Sequence, residues 1–458
     1  MSVAVERLET IDLRPERLNR TIIRLSVPSV MESMLTTLVY LVDAALIGWL
    51  NDPAALAAVG LSGTLMWAAD GLFQALSISA SALVARSWGG RDFEEARAVA
   101  GQAILLSVLA AFLLMGLLMP ISTLFLRLMG ADPDVVNQGT TYVRILLATS
   151  PVSFVLVIAN SIMRATGDTQ KPMFITGVMN LCNVVLAYVL IFGVGPIPRL
   201  ELVGAALSSS IARAIGGALA LGVLFSSRTP LRLRLAHLRR RDCSLIWRIV
   251  RISLPNIGET IISRLGYILF MRIVTSLGTV ALAAHQLALR IESLAYMPGW
   301  GLATAAAALV GQALGAEKED VAEAGIRRTL LMGNGAMVLL GGVFVFFGSS
   351  IVQLFGVQDA ELAALATLAI RIAALELIGL CSVMIIAGCL RGAGDTRTPM
   401  IVTLLGTLLF RVPTTYLFTI VLGAGLKGVW LATSTDWTMR ALIMFFFYVR
   451  GAWKTVEV

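Results

Sequence analysis

The chain has 458 residues, of which 57% are hydrophobic and 14% charged, with a mean hydropathy of +0.85 and a formal net charge of +8. A soluble domain is about half apolar and a quarter charged, so this composition excludes a water-soluble globular protein and describes a chain solvated mainly by lipid. The basic excess is dispersed among the breaks between apolar runs, which excludes a nucleic-acid patch.

The first apolar run, near 25–50, is too long for a signal-peptide core and is expected to stay as helix one. It carries Pro28, Glu32 and Asp43. Further runs follow near 56–85, 97–120, 138–163, 172–194 and 202–225. A polar, basic stretch, 226–244, is the longest interruption. The second set lies near 249–276, 280–312, 327–350, 362–389, 398–422 and 427–449. Each run is long enough to cross a bilayer of about 30 Å. Backbone groups in lipid must be satisfied within the segment, so continuous runs of this length read as helices rather than barrel strands.

Residues 164–173, with their Gly-Asp-Thr turn and Pro172-Met173, return at 391–400 with Pro399-Met400, a shift of 227 (164 to 391). Pro28 and Glu32 return as Pro255 and Glu259 at the same shift (32 to 259). Ala82 through Gly89 returns as Ala308 through Gly315 at 226 (82 to 308). Three echoes in one order at nearly one offset indicate a duplicated unit. The expected architecture is an all-α polytopic membrane protein with about twelve transmembrane helices in two parallel six-helix repeats. Residues 1–225 form the amino-terminal lobe, 226–244 a basic linker and 245–458 the carboxy-terminal lobe.

Lys and Arg gather at every second break: Arg14 to Arg24, Arg86 to Arg97, Arg164 with Lys171, residues 228–251, Lys318 to Arg328, Arg391 with Arg397, and Arg450 with Lys454. The alternate breaks hold little beyond Arg127, Arg199 and Lys427. This asymmetry predicts cytoplasmic termini and a cytoplasmic linker in a cell-membrane (plasma or inner membrane) protein, with the linker's basic residues touching anionic lipid. The four cysteines, Cys182, Cys243, Cys381 and Cys389, form no CxxC and suggest neither a disulfide framework nor a zinc site.

Ionisable residues at membrane depth are costly and are candidates for function. Glu259 lies one turn past Pro255, where a freed carbonyl leaves a polar spot; it reads either as a cation or proton site or as an ion pair with an arginine of a neighbouring helix. Glu32 is its repeat counterpart nearer the cytoplasmic end. Asp43 lies about 22 Å beyond Pro28 along helix one and reads as a cation site or a snorkelling residue. Asp70, Arg264 and Arg272 are also at depth. Asp436 and Arg440, four apart, read as a structural pair. Glu376 has only a poor match in Arg371. His285 reads as a hydrogen-bonded packing residue. The turns at 167–169 and 394–396 read as architecture, with Arg164 and Arg391 at the lipid surface. No Walker A, GxSxG or HExxH motif is present, so the chain reads as no enzyme; the repeats in a hydrophobic chain point to a transporter, and without a nucleotide site transport must draw on an ion gradient.

Pro28 with Val42-Asp43 and Gly48, the two Gly-Asp-Thr turns, and above all the run from Ala284-His285-Gln286 through Arg290-Ile291-Glu292 and Tyr296 to Leu309-Val310-Gly311-Gln312 carry a family resemblance. Over nearly its whole length the chain resembles the multidrug and toxin extrusion (MATE) family of secondary transporters. The resemblance implies two six-helix lobes around a V-shaped cavity and exchange of Na⁺ or H⁺ for organic, often cationic, compounds. It implies a coupling role for Asp43 and for Glu259. In helix five, Asn183 matches an Asn-x-x-Leu-Asp pattern whose aspartate is Ala187 here, and an acid of helix ten falls near Leu380, a turn after Glu376. The expected coupling residues are therefore Glu259, Asp43, Asn183, Glu32 and Glu376, supported by His285, Arg290 and Glu292. No cofactor is expected beyond H⁺ or Na⁺, the latter held transiently at Asp43 or Glu259 with no resident metal. The expected partners are small organic compounds and lipid, not nucleic acid, for a monomer. A lipid-linked-sugar flippase, or a channel or scaffold, are the alternative readings.

Overall fold

The computed structural model describes residues 11–227, 229–239 and 242–456; residues 1–10 and Arg228, Arg240 and Arg241 of the basic linker lie outside the described residues. Twelve long helices, α1 to α12, run through the described residues, which contain no strand. In the first half they are α1 (Leu18–Gly48), α2 (Pro53–Gly89), α3 (Phe93–Leu128), α4 (Pro133–Ala165), α5 (Gln170–Phe192) and α6 (Glu201–Phe225). In the second they are α7 (Cys243–Thr275), α8 (Thr279–Gly315), α9 (Glu319–Leu354), α10 (Ala360–Gly392), α11 (Arg397–Val421) and α12 (Gly425–Arg450). Ten are long and apolar enough to cross a membrane; the other two, α7 and α12, carry Glu259, Arg264 and Arg272, and Asp436 and Arg440.

Several helices extend past the apolar runs that announce them. α3 starts at Phe93 and α7 at Cys243, because hydropathy marks only the lipid-matched part of a helix whose hydrogen-bond ladder continues through charged turns. The starts of α2 and α3 are set by local chemistry: Asp52 accepts from the Ala54 amide at 2.9 Å ahead of Pro53, and Asp92 from the Glu95 amide at 2.9 Å. The polar, basic linker contains a short helix, Leu235–Arg239.

The duplication extends to packing. In the first unit, residues 31–251, α4 is the hub and packs on α2, α3 and α6, while α5 packs on α6. In the second unit, residues 12–30 with 252–458, α10 packs in the same way on α8, α9 and α12, with α11 against α12. The compact units follow the two sequence halves except at their leading helices: α1 leaves the second unit after Val30, just past Pro28, and α7 leaves the first after Arg251, just before Pro255. Small residues permit the close approaches. A Cβ on Gly379 of α10 would sit 2.9 Å from the Trp437 carbonyl of α12, so this crossing requires glycine.

Candidate functional site

The two proline-marked glutamates sit in matching clamps. Arg164 Nη1 donates to both carboxylate oxygens of Glu32, at 2.9 and 3.0 Å, Thr176 adds its hydroxyl at 3.3 Å and Asn160 its amide at 3.4 Å. In the second unit Arg391 Nη2 donates to both oxygens of Glu259 at 2.7 Å and Thr403 adds its hydroxyl at 3.0 Å. Glutamate, arginine and threonine each recur at 227 (32 to 259, 164 to 391, 176 to 403). The arginines read as lipid-surface residues are thus partners of the glutamates, delivered by the Gly-Asp-Thr turns. In these turns Gly167 and Gly394 take φ of +93° and +96°, while Asp168 and Asp395 accept from the amides of Lys171 and Thr398. Of the two readings open for Glu259, this geometry is that of the ion pair.

A different cluster fills the second unit. Asp436 is fully buried on α12 and held from two sides, by Arg440 Nε at 2.7 Å one turn on and by Arg411 Nε at 2.6 Å from α11. Beside it the buried carboxyls of Glu292 (α8) and Glu376 (α10) face each other within hydrogen-bonding reach, with Tyr296 against the first and Thr433 against the second. Glu292 Oε1 and Glu376 Oε2 are buried and accept no hydrogen bond from a described donor. Aromatic faces enclose the cations: Arg411 lies 5.5 Å from the ring centres of Phe270 and Trp437, and Arg440 lies 5.4 Å from that of Trp437. Three buried carboxyls therefore meet two largely buried guanidiniums.

Two devices place these cations. The backbone of α11 widens into π-type turns at Gly406–Arg411 and Leu417–Val421, a distortion common at functional sites, and the first ends on Arg411. Gly406 itself leaves room for Arg440, whose guanidinium a Cβ there would overlap. His285 lies between the rings of Phe270 and Trp430, at 5.6 and 5.5 Å, and neither ring nitrogen has a hydrogen-bond partner among the described residues. Its expected hydrogen bond is therefore replaced by ring packing. Arg290 is exposed on α8, two residues from Glu292 and so on another face, and does not join the cluster.

The first unit has a smaller polar cluster. Asp43 meets the Ser209 hydroxyl and faces the half-buried Arg213 from α6, so the positive neighbour absent from its own helix comes from another. Asn183 Nδ2 donates to Ser209 Oγ at 3.1 Å, which joins α5 to this group. Asp70, Tyr40 and Tyr142 also lie within the field of Arg213. Ala187 sits instead in an apolar cluster with Leu46, Ile47 and Ala58. Arg213 and Arg440 are repeat equivalents at 227, as are Ser209 and Asp436. The arginine has been kept in both halves, while its acid comes from α12 in one and from α1 in the other. Sequence reasoning missed Arg213 and Arg411. The shift from Arg440 points to Arg213, whereas Arg411 maps onto Val184 and gives no such signal.

The MatE family model matches residues 28–189 and 255–417, one match in each half. The chain is 25% identical over 438 residues to a probable multidrug resistance protein NorM of Thermotoga maritima, covering 95% of this chain and 93% of that protein. It is 29% identical over 434 residues to a probable multidrug resistance protein NorM of Burkholderia pseudomallei, covering 92% and 90%. Its fold matches a crystal structure of a MATE protein in the straight conformation, with a TM-score of 0.90 at 24% identity over 98% of this chain and all of the other. It also matches an outward-facing multidrug resistance MATE transporter of the MOP superfamily, with a TM-score of 0.89 at 24% identity over 98% of this chain. With both halves matched, and with helices that embed it in a membrane, the chain belongs to the MATE family of membrane transporters.

Proposed function

We propose that this protein is an H⁺-coupled exporter of amphipathic, cationic organic compounds, with its principal coupling site at the Glu292–Glu376 pair. The observation that carries this reading is the surplus carboxyl: among the described residues Glu292 and Glu376 lie in the field of Arg411, which with Arg440 also holds Asp436, and two carboxylate oxygens lack a described donor. A buried group of net charge −1 is expensive, and one proton on the facing pair neutralises it. Tyr296 and Thr433 position the two carboxyls, and the aromatic faces of Phe270 and Trp437 pack against the arginines. Protonation from outside and release inside bias the transporter between its two access states, since a ligand shifts an equilibrium only by its differential affinity for the states.

Asp43, with Ser209, Asn183 and Arg213, supplies a second acidic group in the first half, suited to a cationic substrate or to a second proton. Glu32 and Glu259 serve as clamps. The halves 1–225 and 245–458, joined by 226–244, are the moving parts of a monomer whose termini and linker face the cytoplasm. The names of the probable NorM relatives support multidrug substrates.

The test is efflux of a fluorescent organic cation from proteoliposomes under separately imposed pH and Na⁺ gradients. Uphill export driven by the pH gradient alone is the expected result. Export driven by Na⁺ alone overturns the choice of ion, and mere equilibration of the dye overturns the exporter reading in favour of a channel.

A further inference from the structure

Arg127, near the end of α3, and Arg144, in α4, are exposed basic residues at the end of the bundle opposite the basic loops, where the charge pattern otherwise avoids cations. The other arginine in those alternate breaks, Arg199, pairs with Glu201 at 3.2 Å. Neither Arg127 nor Arg144 has a carboxylate partner among the described residues. Both instead line one cavity of about 500 Å³ between α3 and α4, together with Asn137 and with Thr123 and Thr140, whose hydroxyls meet at 3.3 Å across the two helices. Asp132 and Asp134, at the start of α4, do not line it.

α4 has 33 residues and is about 50 Å long, so when centred on a hydrocarbon layer of about 30 Å it projects about 10 Å on each side. Arg144 is eleven residues from Pro133, about 16 Å along the axis, and so lies about 6 Å inside the apolar layer. A cation there needs an anion within reach of its side chain, and the lipid phosphates at the layer's edge are the anions that a membrane supplies. Arg127, near the end of α3, approaches the same cavity from the headgroup side. Below it the lipid-facing side of α3 exposes Leu113, Leu117 and Leu124, an apolar track along which an acyl chain can lie.

We propose that the groove between α3 and α4 is a binding site for a phosphate-bearing anion, the headgroup of a phospholipid of the adjoining leaflet, held between Arg127 and Arg144 with Asn137 and the paired threonines completing its hydrogen bonds. Guanidinium forks suit phosphate oxygens, and each charge-assisted contact is worth about tenfold in affinity. The duplication supplies an internal control. Arg144 recurs as the exposed Arg371 (shift 227), but Arg127 recurs as Gln353 (shift 226), so the second half keeps one cation and lacks the pair.

The experiment is native mass spectrometry of the full-length protein in detergent, titrated with phosphatidylglycerol and, separately, with inorganic phosphate. The parent protein should retain one phosphatidylglycerol more tightly than further copies, and the Arg127→Ala/Arg144→Ala variant should bind it at least tenfold more weakly, with Arg371→Ala unchanged. Arg144→Gln alone, which removes the deeper cation with little change of volume, should give a partial loss and guards against misfolding of the double variant. Displacement of the lipid by millimolar inorganic phosphate would assign the site to a free anion and overturn the lipid identity. Equal lipid retention by the parent and Arg144→Gln, or equal loss in Arg371→Ala, would overturn the site.

Discussion

Replacing Glu376 by Gln tests the coupling site directly. Two ionised carboxylates at hydrogen-bond separation, about 3 Å, repel by about 5 kcal/mol at an effective dielectric constant of about 20. Arg411 offsets part of that, but it is already engaged with Asp436 at 2.6 Å. On the proposed function, the parent cluster holds a proton in at least one state of its cycle. In Glu376→Gln two acids face two arginines, the charges balance without a proton, and the amide donates to Glu292 in its place. Two consequences follow. The variant should be at least as thermally stable as the parent, because a like-charge contact has been removed and the packing volume kept. Its pH-gradient-driven efflux in proteoliposomes should fall at least tenfold, since typical coupling free energies of 1–3 kcal/mol correspond to about 5- to 150-fold. Unchanged dependence of dye export on the pH gradient, at matched reconstitution, would refute the reasoning. A large drop in melting temperature would also refute the charge accounting on which it rests.

Other parts of the site make separate predictions. Asp43→Asn keeps the hydrogen bond to Ser209 and should leave folding intact while reducing export of a cationic dye more than that of a neutral one; equal export of both dyes, each as in the parent, removes Asp43 from the substrate path. Gly406→Ala drives a methyl group into the Arg440 guanidinium and should cost about 1–3 kcal/mol by overpacking, seen as a lower melting temperature together with lost coupling. A parent-like melting curve for that variant would mean that α11 shifts freely at its π-type turn.

The number of helices and the duplication were readable because hydropathy and a repeated ten-residue turn are local signals. The clamps were half readable. Glu259 and Arg391 both stand in segments that repeat at one shift, and two residues duplicated together at fixed spacing are candidates for contact with each other. Reading Arg391 by itself, at the end of an apolar run, sent it to the lipid surface instead. The Glu292–Glu376 pair depends on how α8 crosses α10, a long-range packing that no local pattern encodes. Arg411 was hidden for a further reason: it lies inside an apolar run without a repeat counterpart, and it reaches Asp436 only through the widened turn that begins at Gly406.

The sequence places Glu259 first among the coupling residues, whereas the proposed coupling site is the Glu292–Glu376 pair, and charge accounting is the reason for that choice. A clamp of one glutamate and one arginine is already neutral, so an incoming proton or Na⁺ must displace a guanidinium that donates to both oxygens at 2.7 Å. Its gain from binding an ion is small, and a group with little differential affinity drives little transport. The same pair is largely buried, and removing only the arginine leaves a carboxylate desolvated and unpaired. Arg391→Met should therefore destabilise the protein by about 2 kcal/mol, and Glu259→Gln/Arg391→Met should recover most of that loss, a coupling that a double-mutant cycle of thermal midpoints reads directly. Glu259→Gln alone should slow export without altering its dependence on the pH gradient. If Glu259→Gln instead abolished that dependence while Glu376→Gln retained it, the coupling would belong to the clamp, and the surplus-carboxyl argument would fail.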